Sequence, residues 1–252
     1  MFVYLYSFIL FIVLAYTSFP SNMYKPVTHI IFDMDGLLLN TEDLYTEAFQ
    51  SICSKYGKTY DWSVKLHIMG MKPDPAIKYV IDTLDLPLSV EEFKAKVTGL
   101  LDEIFSKAKL MPGADVLVNH MKKHGVPIAI CTGSSSKAFK AKTSHLQDFF
   151  SLFEVIVIAG DDQEVKYGKP HPDAYLVTLS RFNPPPRAEQ VLVFEDAPNG
   201  VESALAANMQ VVMVPDVKVP AHLTSKATLR LNSLEKFDPE LFGLPPFKSI
   251  VQ

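Results

Sequence analysis

The chain has 252 residues, room for one large domain or two small ones, and its 48% apolar and 21% charged side chains exclude a disordered polypeptide. A chain of this size buries enough surface on folding to need neither disulfides nor a structural metal. The formal net charge is −4 and the 24 basic residues are scattered, which excludes a nucleic-acid protein working through a basic face.

Residues 1–19, MFVYLYSFILFIVLAYTSF, carry no charged side chain, and the first basic residue is Lys25. The run is near the lower length limit of a bilayer span. Small residues near its end (Ala15, Thr17, Ser18) suit a secretory signal, but the usual basic n-region is missing. Three readings stay open for residues 1–22: a signal, a membrane anchor, or an extension upstream of a start at Met23. The two cysteines, Cys53 in a helical pattern and Cys131 in a strand-like one, suit a reducing compartment. The expectation is a cytoplasmic protein, with the secretory pathway or a membrane anchor through residues 1–19 as the alternative.

From Thr28 onward, short apolar runs read as strands: His29–Phe32, Pro127–Cys131, Glu154–Ile158, Val191–Phe194, Gln210–Val214 and a weaker one near Thr228–Leu231. Near-continuous apolarity marks strands covered on both faces. Helical patterns lie between them at Gly113–His124, Ser135–Ser144, Pro172–Arg181 and Pro198–Asn208. This alternation predicts an α/β fold with a doubly wound parallel sheet, Rossmann-like in form. The stretch between the first two strands reads instead as helices: Glu42–Tyr56, Pro73–Leu84 and Ser89–Ala108, the last opened by Ser89 ahead of Glu91 and Glu92. The predicted organisation is a core of residues 23–43 and 111–252, interrupted by an all-helical cap over 44–110. The tail after Asp238, with Pro239, Pro245 and Pro246, is expected to lie across the surface or fray.

Polar residues gather where these strands end: Asp33-Met34-Asp35-Gly36, Thr132-Gly133-Ser134, Gly160-Asp161-Asp162 with Lys169 beyond, and Glu195-Asp196. The carboxyl ends of parallel strands form one edge of the sheet, where ligands bind. Carboxylates, a hydroxyl, an ammonium and glycine-flanked N–H groups suit Mg²⁺ together with a phosphate.

The motifs FDMDG (Phe32–Gly36), ICTGS (Ile130–Ser134), YGKPHPD (Tyr167–Asp173) and VFEDAPNGVESALAA (Val193–Ala207), in that order, resemble the haloacid dehalogenase superfamily of aspartate-nucleophile phosphohydrolases. The stretches FDMDGLLLNTEDLY and MPGADVLVNHMKKHGVPIAICTGSS are similar to the branch of small phosphatases that includes pseudouridine-5′-phosphatases. The resemblance implies a Mg²⁺-dependent phosphatase working through an aspartyl-phosphate. It implies Asp33 as nucleophile and Asp35 as general acid and base, with a neighbouring like charge pushing Asp35 toward the acid form. Asp33, the Asp35 carbonyl and Asp196 would bind Mg²⁺, with Glu195 a further ligand or an orienting group. Thr132, Gly133 and Lys169 would bind the phosphate, and Gly36 would let the chain turn behind the nucleophile.

Lys72, in the turn Met69-Gly70-Met71-Lys72, is the candidate cap residue for a phosphate or sugar oxygen, or else a solvated lysine at a helix start. Tyr45 and Phe49 suit either the pocket or the core. Asp161 and Asp162 read as structural, and His171 as a loop residue. Two positions depart from the family pattern. Asn40 replaces the usual aspartate ahead of Thr41 and is expected to cap the next helix. Tyr45 replaces a histidine of β-phosphoglucomutases, which disfavours mutase chemistry. The expected partner is a small phosphorylated substrate, pseudouridine 5′-monophosphate first. Alternatives are a sugar- or glycerol-phosphate phosphatase, a β-phosphoglucomutase-like enzyme and, least favoured, a binding module without turnover. No nucleic-acid partner is expected, a membrane only if residues 1–19 are retained, and the protein is expected to be a monomer.

Overall fold

The computed structural model describes residues 24–68 and 73–247. The readings made on residues 1–22, Met23 and Lys72 lie outside them.

Six strands form one fully parallel sheet: β1 (His29–Phe32), β2 (Ile128–Thr132), β3 (Val155–Ile158), β4 (Val191–Glu195), β5 (Gln210–Met213) and β6 (Leu229–Arg230), in the order β3-β2-β1-β4-β5-β6. Alternate side chains divide between two apolar layers, as strand geometry requires. Ile30, Phe32, Ile128, Ile130, Leu192 and Phe194 face one layer. Ile31, Ala129, Cys131, Val191 and Val193 face the other. Helix α5 (Ala114–Lys123) and α7 (Gln147–Phe150) cover the first layer through Leu117, Val118, Met121 and Phe150. Helices α8 (Asp173–Ser180) and α9 (Pro198–Ala206) cover the second through Ala174, Tyr175, Val201 and Ala204. This is the doubly wound arrangement that the alternating pattern predicts.

Strands β2 and β4 each run one residue further than apolarity suggests. Thr132 pairs with Ile158 and Glu195 with Met213, so the ladder continues after the side chains turn polar. Thr132 and Glu195 thereby sit on strand ends rather than on the loops that follow. Strand β5 stops at Met213, one residue earlier than expected.

Four helices lie between β1 and α5: α1 (Thr41–Ser54), α2 (Trp62–Ile68), α3 (Pro73–Leu84) and α4 (Val90–Ile104). Ser89 caps α4 with a reciprocal bond to Glu92, so this expected start is found. The helix ends sooner than expected and passes into a tight turn over Phe105–Lys107. Phe49 packs on Tyr60 and Phe93, which places it in the apolar interior of these helices rather than at a pocket. Helix α2 shows little sequence periodicity and was not expected.

Over the described residues the tail packs onto the core, where the sequence left open whether it would lie across the surface or fray. Phe242 is fully buried, stacks on Tyr24 and packs against Phe237, and Leu244 is buried with it. Among the described residues, no helix is long and apolar enough to cross a membrane.

Candidate active site

Strand register decides what meets. Phe32 pairs with Phe194, and the Asp33 N–H donates to the Phe194 carbonyl at 2.9 Å, so Asp33 and Glu195 leave adjacent strands side by side. The Lys169 ammonium lies between them, 2.6 Å from Asp33 Oδ1 and 2.6 Å from Glu195 Oε1. Every lone-pair direction of Glu195 is used. Tyr175 Oη donates to Oε1 at 2.5 Å, and the N–H groups of Asp196 and Ala197 donate to Oε2 at 3.1 and 3.3 Å. Burial and the negative Glu195 push the Tyr175 phenol well above its ordinary range, so it stays a donor.

Glu195 is also walled in. A Cβ on Gly200, in the first turn of α9, would lie 1.9 Å from the Glu195 carboxylate. Alanine normally gains about 1 kcal/mol over glycine inside a helix. Here Glu195 is tied on both oxygens and cannot move aside, so overpacking of about 1–3 kcal/mol outweighs that gain. Gly200→Ala is therefore expected to lower the thermal midpoint, measured by a melting curve. A melting point above the parent's would contradict this geometry.

Asp33, Glu195 and Asp196 offer carboxylate oxygens within 4.8 Å of one another. Burial raises the Asp33 carboxyl to about 7, with Lys169 opposing and Glu195 and Asp35 adding to the rise. Burial and the neighbours Glu195, Asp33 and Glu42 raise Asp196 well above the carboxylate range. Among the described residues, no donor reaches the Asp196 carboxylate or Asp33 Oδ2, so these oxygens face the recess unpaired. That donor set of hard oxygens fits a divalent cation such as Mg²⁺. Gly36, at φ +83°, lets the Asp196 carboxylate approach the turn after β1: a Cβ there would lie 2.3 Å from Asp196 Oδ2.

The recess around these groups measures about 340 Å³ and is lined by Asp33, Asp35, Glu42, Tyr45, Gly133, Ser134, Lys169, Glu195, Asp196, Ala197 and Asn199. Asp35 sits in a cage of donors. Thr41 Oγ1 and Lys142 Nζ each lie 2.6 Å from Oδ1; Ser134 Oγ donates to Oδ2 at 2.8 Å and Thr132 Oγ1 at 3.3 Å. Burial would raise the Asp35 carboxyl, but the Lys142 charge and the hydrogen bonds of Lys142, Thr41 and Ser134 outweigh it and hold the group below its ordinary value. The expected push of Asp35 toward the acid form is therefore reversed, because the nearest charge is a lysine that sequence gave no reason to place there.

A profile of the haloacid dehalogenase-like hydrolases matches residues 30–214. A probable pseudouridine-5′-phosphatase of Drosophila melanogaster is 44% identical over 227 residues, covering 90% of this chain and 98% of that protein. The chain belongs to the haloacid dehalogenase-like hydrolase family. A (DL)-glycerol-3-phosphatase of Arabidopsis thaliana is also 44% identical, over 88% of this chain and 75% of its own length. Both relatives are phosphatases, and this hydrolase is a phosphoric monoester hydrolase like them. Its fold is that of a hydrolase of the family from Deinococcus radiodurans, with a TM-score of 0.74 at 22% identity, over 88% of this chain and 99% of that one.

In this hydrolase, Asp33, Asp35, Thr132, Gly133, Lys169, Glu195 and Asp196 meet at one edge of the sheet. Lys142, Thr41 and Tyr175 complete the site and were not singled out from sequence, while Ser134, grouped there with Thr132 and Gly133, was given no role of its own. Lys142 stands in SKAFKAKT beside Lys137 and Lys140, which carry no distinguishing signal, and only the spatial route of α6 (Ser136–Thr143) turns it inward. Asn40 does not cap α1 through its side chain. Its Oδ1 accepts from the Lys109 N–H at 2.7 Å and its N–H donates to the Lys109 carbonyl at 3.0 Å, tying together the two chain segments that flank the four helices. Asp161 accepts from the Ser136 N–H at 2.5 Å and Asp162 takes a paired contact from Arg181, both at a distance from the recess. His171 stays half-exposed beside Asp173.

Proposed function

We propose that this hydrolase is a Mg²⁺-dependent phosphatase of a small phosphomonoester, working through an aspartyl-phosphate, with pseudouridine 5′-monophosphate as the first substrate to test. The observation that carries the reading is the Asp33–Lys169–Glu195–Asp196 cluster at the ends of the adjacent strands β1 and β4. Asp33, Asp196 and the Asp35 backbone carbonyl would hold Mg²⁺, which when bound offsets the crowded negative charge and draws electron density from the phosphoryl oxygens. Glu195, with its lone pairs used, orients Lys169 and the Asp196 backbone rather than acting as a ligand.

Asp33 attacks phosphorus; a P–O bond forms to its carboxylate as the bond to the leaving oxygen breaks. Asp35 gives that oxygen a proton, then takes one from the water that cleaves the aspartyl-phosphate and regenerates Asp33. Asp35 must therefore part from some of its four donors and take up a proton before the first step. Thr132, the Gly133 N–H and Lys169 hold the phosphate.

Residues 44–110 act in this reading as a cap on the core of 23–43 and 111–252, excluding bulk water during the first step. Tyr45 reaches the recess from the cap and Glu42 from the core segment just before it. The Tyr45 ring packs at 5.6 Å on Phe105 and supplies no base for an isomerisation, which favours hydrolysis over mutase chemistry. Buried, unbridged cysteines fit a cytoplasmic enzyme, and we take it to act as a monomer.

The test is a panel of nucleotide, sugar and glycerol phosphates, assayed for free phosphate with Mg²⁺ and with EDTA. Release that needs Mg²⁺ is expected, with pseudouridine 5′-monophosphate among the best substrates. Mg²⁺ at a hundred times its Kd should add about 2.7 kcal/mol of stability, or roughly 5–11 °C in Tm, in a metal titration followed by melting. No turnover across the panel, or turnover indifferent to EDTA, would overturn the reading.

A further inference from the structure

Lys142 is a cation with no solvent exposure, and nothing in the mechanism above uses it. Its Nζ lies 2.6 Å from Asp35 Oδ1 and donates to Ser134 Oγ at 2.9 Å, while that hydroxyl donates onward to Asp35 Oδ2 at 2.8 Å. Lysine and serine thus grip both oxygens of one carboxylate. Two rings back the ammonium: Tyr45, with its centroid 5.2 Å from Nζ, and Phe105, at 4.6 Å. Tyr45 stands in α1 and Phe105 just beyond α4, near the beginning and the end of the helical insertion. Burying an ammonium costs several kcal/mol, which a paired carboxylate and flanking ring faces offset. Lys142 does not line the recess, whereas Asp35, Ser134 and Tyr45 do.

We propose that Lys142 is the positioning residue of Asp35: it fixes where this acid–base carboxylate points, without touching the substrate. The inference rests on the phosphatase reading above. Without the ammonium, Asp35 keeps its hydroxyl donors but loses the charged anchor that Lys142 supplies, and a side chain that is 21% exposed has room to rotate. Proton delivery to the leaving oxygen then suffers. Attack by Asp33 on an ester whose leaving group needs no proton does not.

The experiment compares kcat/KM of the full chain and of Lys142→Met on two esters. One is an alkyl phosphate, whose alkoxide must be protonated as it leaves; the other is para-nitrophenyl phosphate, whose phenolate leaves unaided. Methionine keeps the length of the stem against Tyr45 and Phe105 and removes the charge. The expected result is a loss of about 10–100-fold on the alkyl ester and less than about 3-fold on the aryl ester. The ratio of the two is independent of how much enzyme is folded, so partial misfolding cannot imitate it. If Lys142→Met gives no folded protein, Lys142→Gln, which keeps a donor without the charge, is read by the same ratio. Equal losses on both esters overturn the role of Lys142 alone. A parent enzyme that hydrolyses neither ester overturns the phosphatase reading, and this inference with it.

Discussion

Asp33→Asn is expected to lower phosphate release by about 10⁴–10⁶-fold, the scale of loss when one member of a covalent catalytic apparatus is removed. An amide oxygen still fills the space and can still accept from Lys169 Nζ, which lies 2.6 Å from Asp33 Oδ1. It cannot form an acyl phosphate. The substitution also removes one of three carboxylates that crowd within 4.8 Å. The fold is therefore expected to be retained, with a metal-free melting point no lower than the parent's. Activity and melting curves measured on the same sample separate the two effects. Activity within about tenfold of the parent would exclude Asp33 as nucleophile.

Asp33 stood out in the sequence although a lone DxD pair is usually a solvated turn, because it follows a buried strand and three further motifs come after it in order. The same holds for Lys169, Glu195 and Asp196, each fixed within a short run of sequence. The doubly wound sheet was legible for a different reason: Ile30, Ile31 and Phe32 are apolar in succession, which only a strand covered on both faces requires. What escaped was set by distance in space. Tyr175 sits in a helix whose apolar pattern accounts for it fully, and its hydroxyl contact with Glu195 follows only from how α8 lies on the sheet. Thr41 reads as an ordinary helix start, yet its hydroxyl holds Asp35. The burial of Phe242 was not foreseen, because prolines mark a tail as irregular but say nothing of whether an aromatic ring within it finds the core. In each case a local rule held, and a long-range contact decided the role.

The second large effect concerns Lys169, whose loss should harm stability as well as chemistry. Among the described residues it is the one cation in contact with Asp33 and Glu195, at 2.6 Å from each. Lys169→Met leaves two buried carboxylates facing each other, and removing one partner of a buried ion pair typically costs about 3–5 kcal/mol. For a chain of this size that is a fall of roughly 6–20 °C in Tm. The penalty has a direction in pH. Asp33 already titrates at about 7 in the folded protein, against an ordinary 3.8. A folded-state value raised above the unfolded one means that the folded chain holds a proton that the unfolded chain gives up, so stability falls as pH rises from about 4 to 7. Without Lys169 the Asp33 value rises further, and the fall extends to higher pH. The gap between variant and parent should therefore widen from about pH 5 to pH 8, measured by melting in EDTA. Adding Mg²⁺ should narrow it, because a divalent cation at Asp33 and Asp196 supplies the positive charge that the lysine no longer gives. A variant that melts with the parent at pH 8 in EDTA would show that Lys169 carries none of the electrostatic burden of the cluster, leaving its role to the phosphate alone.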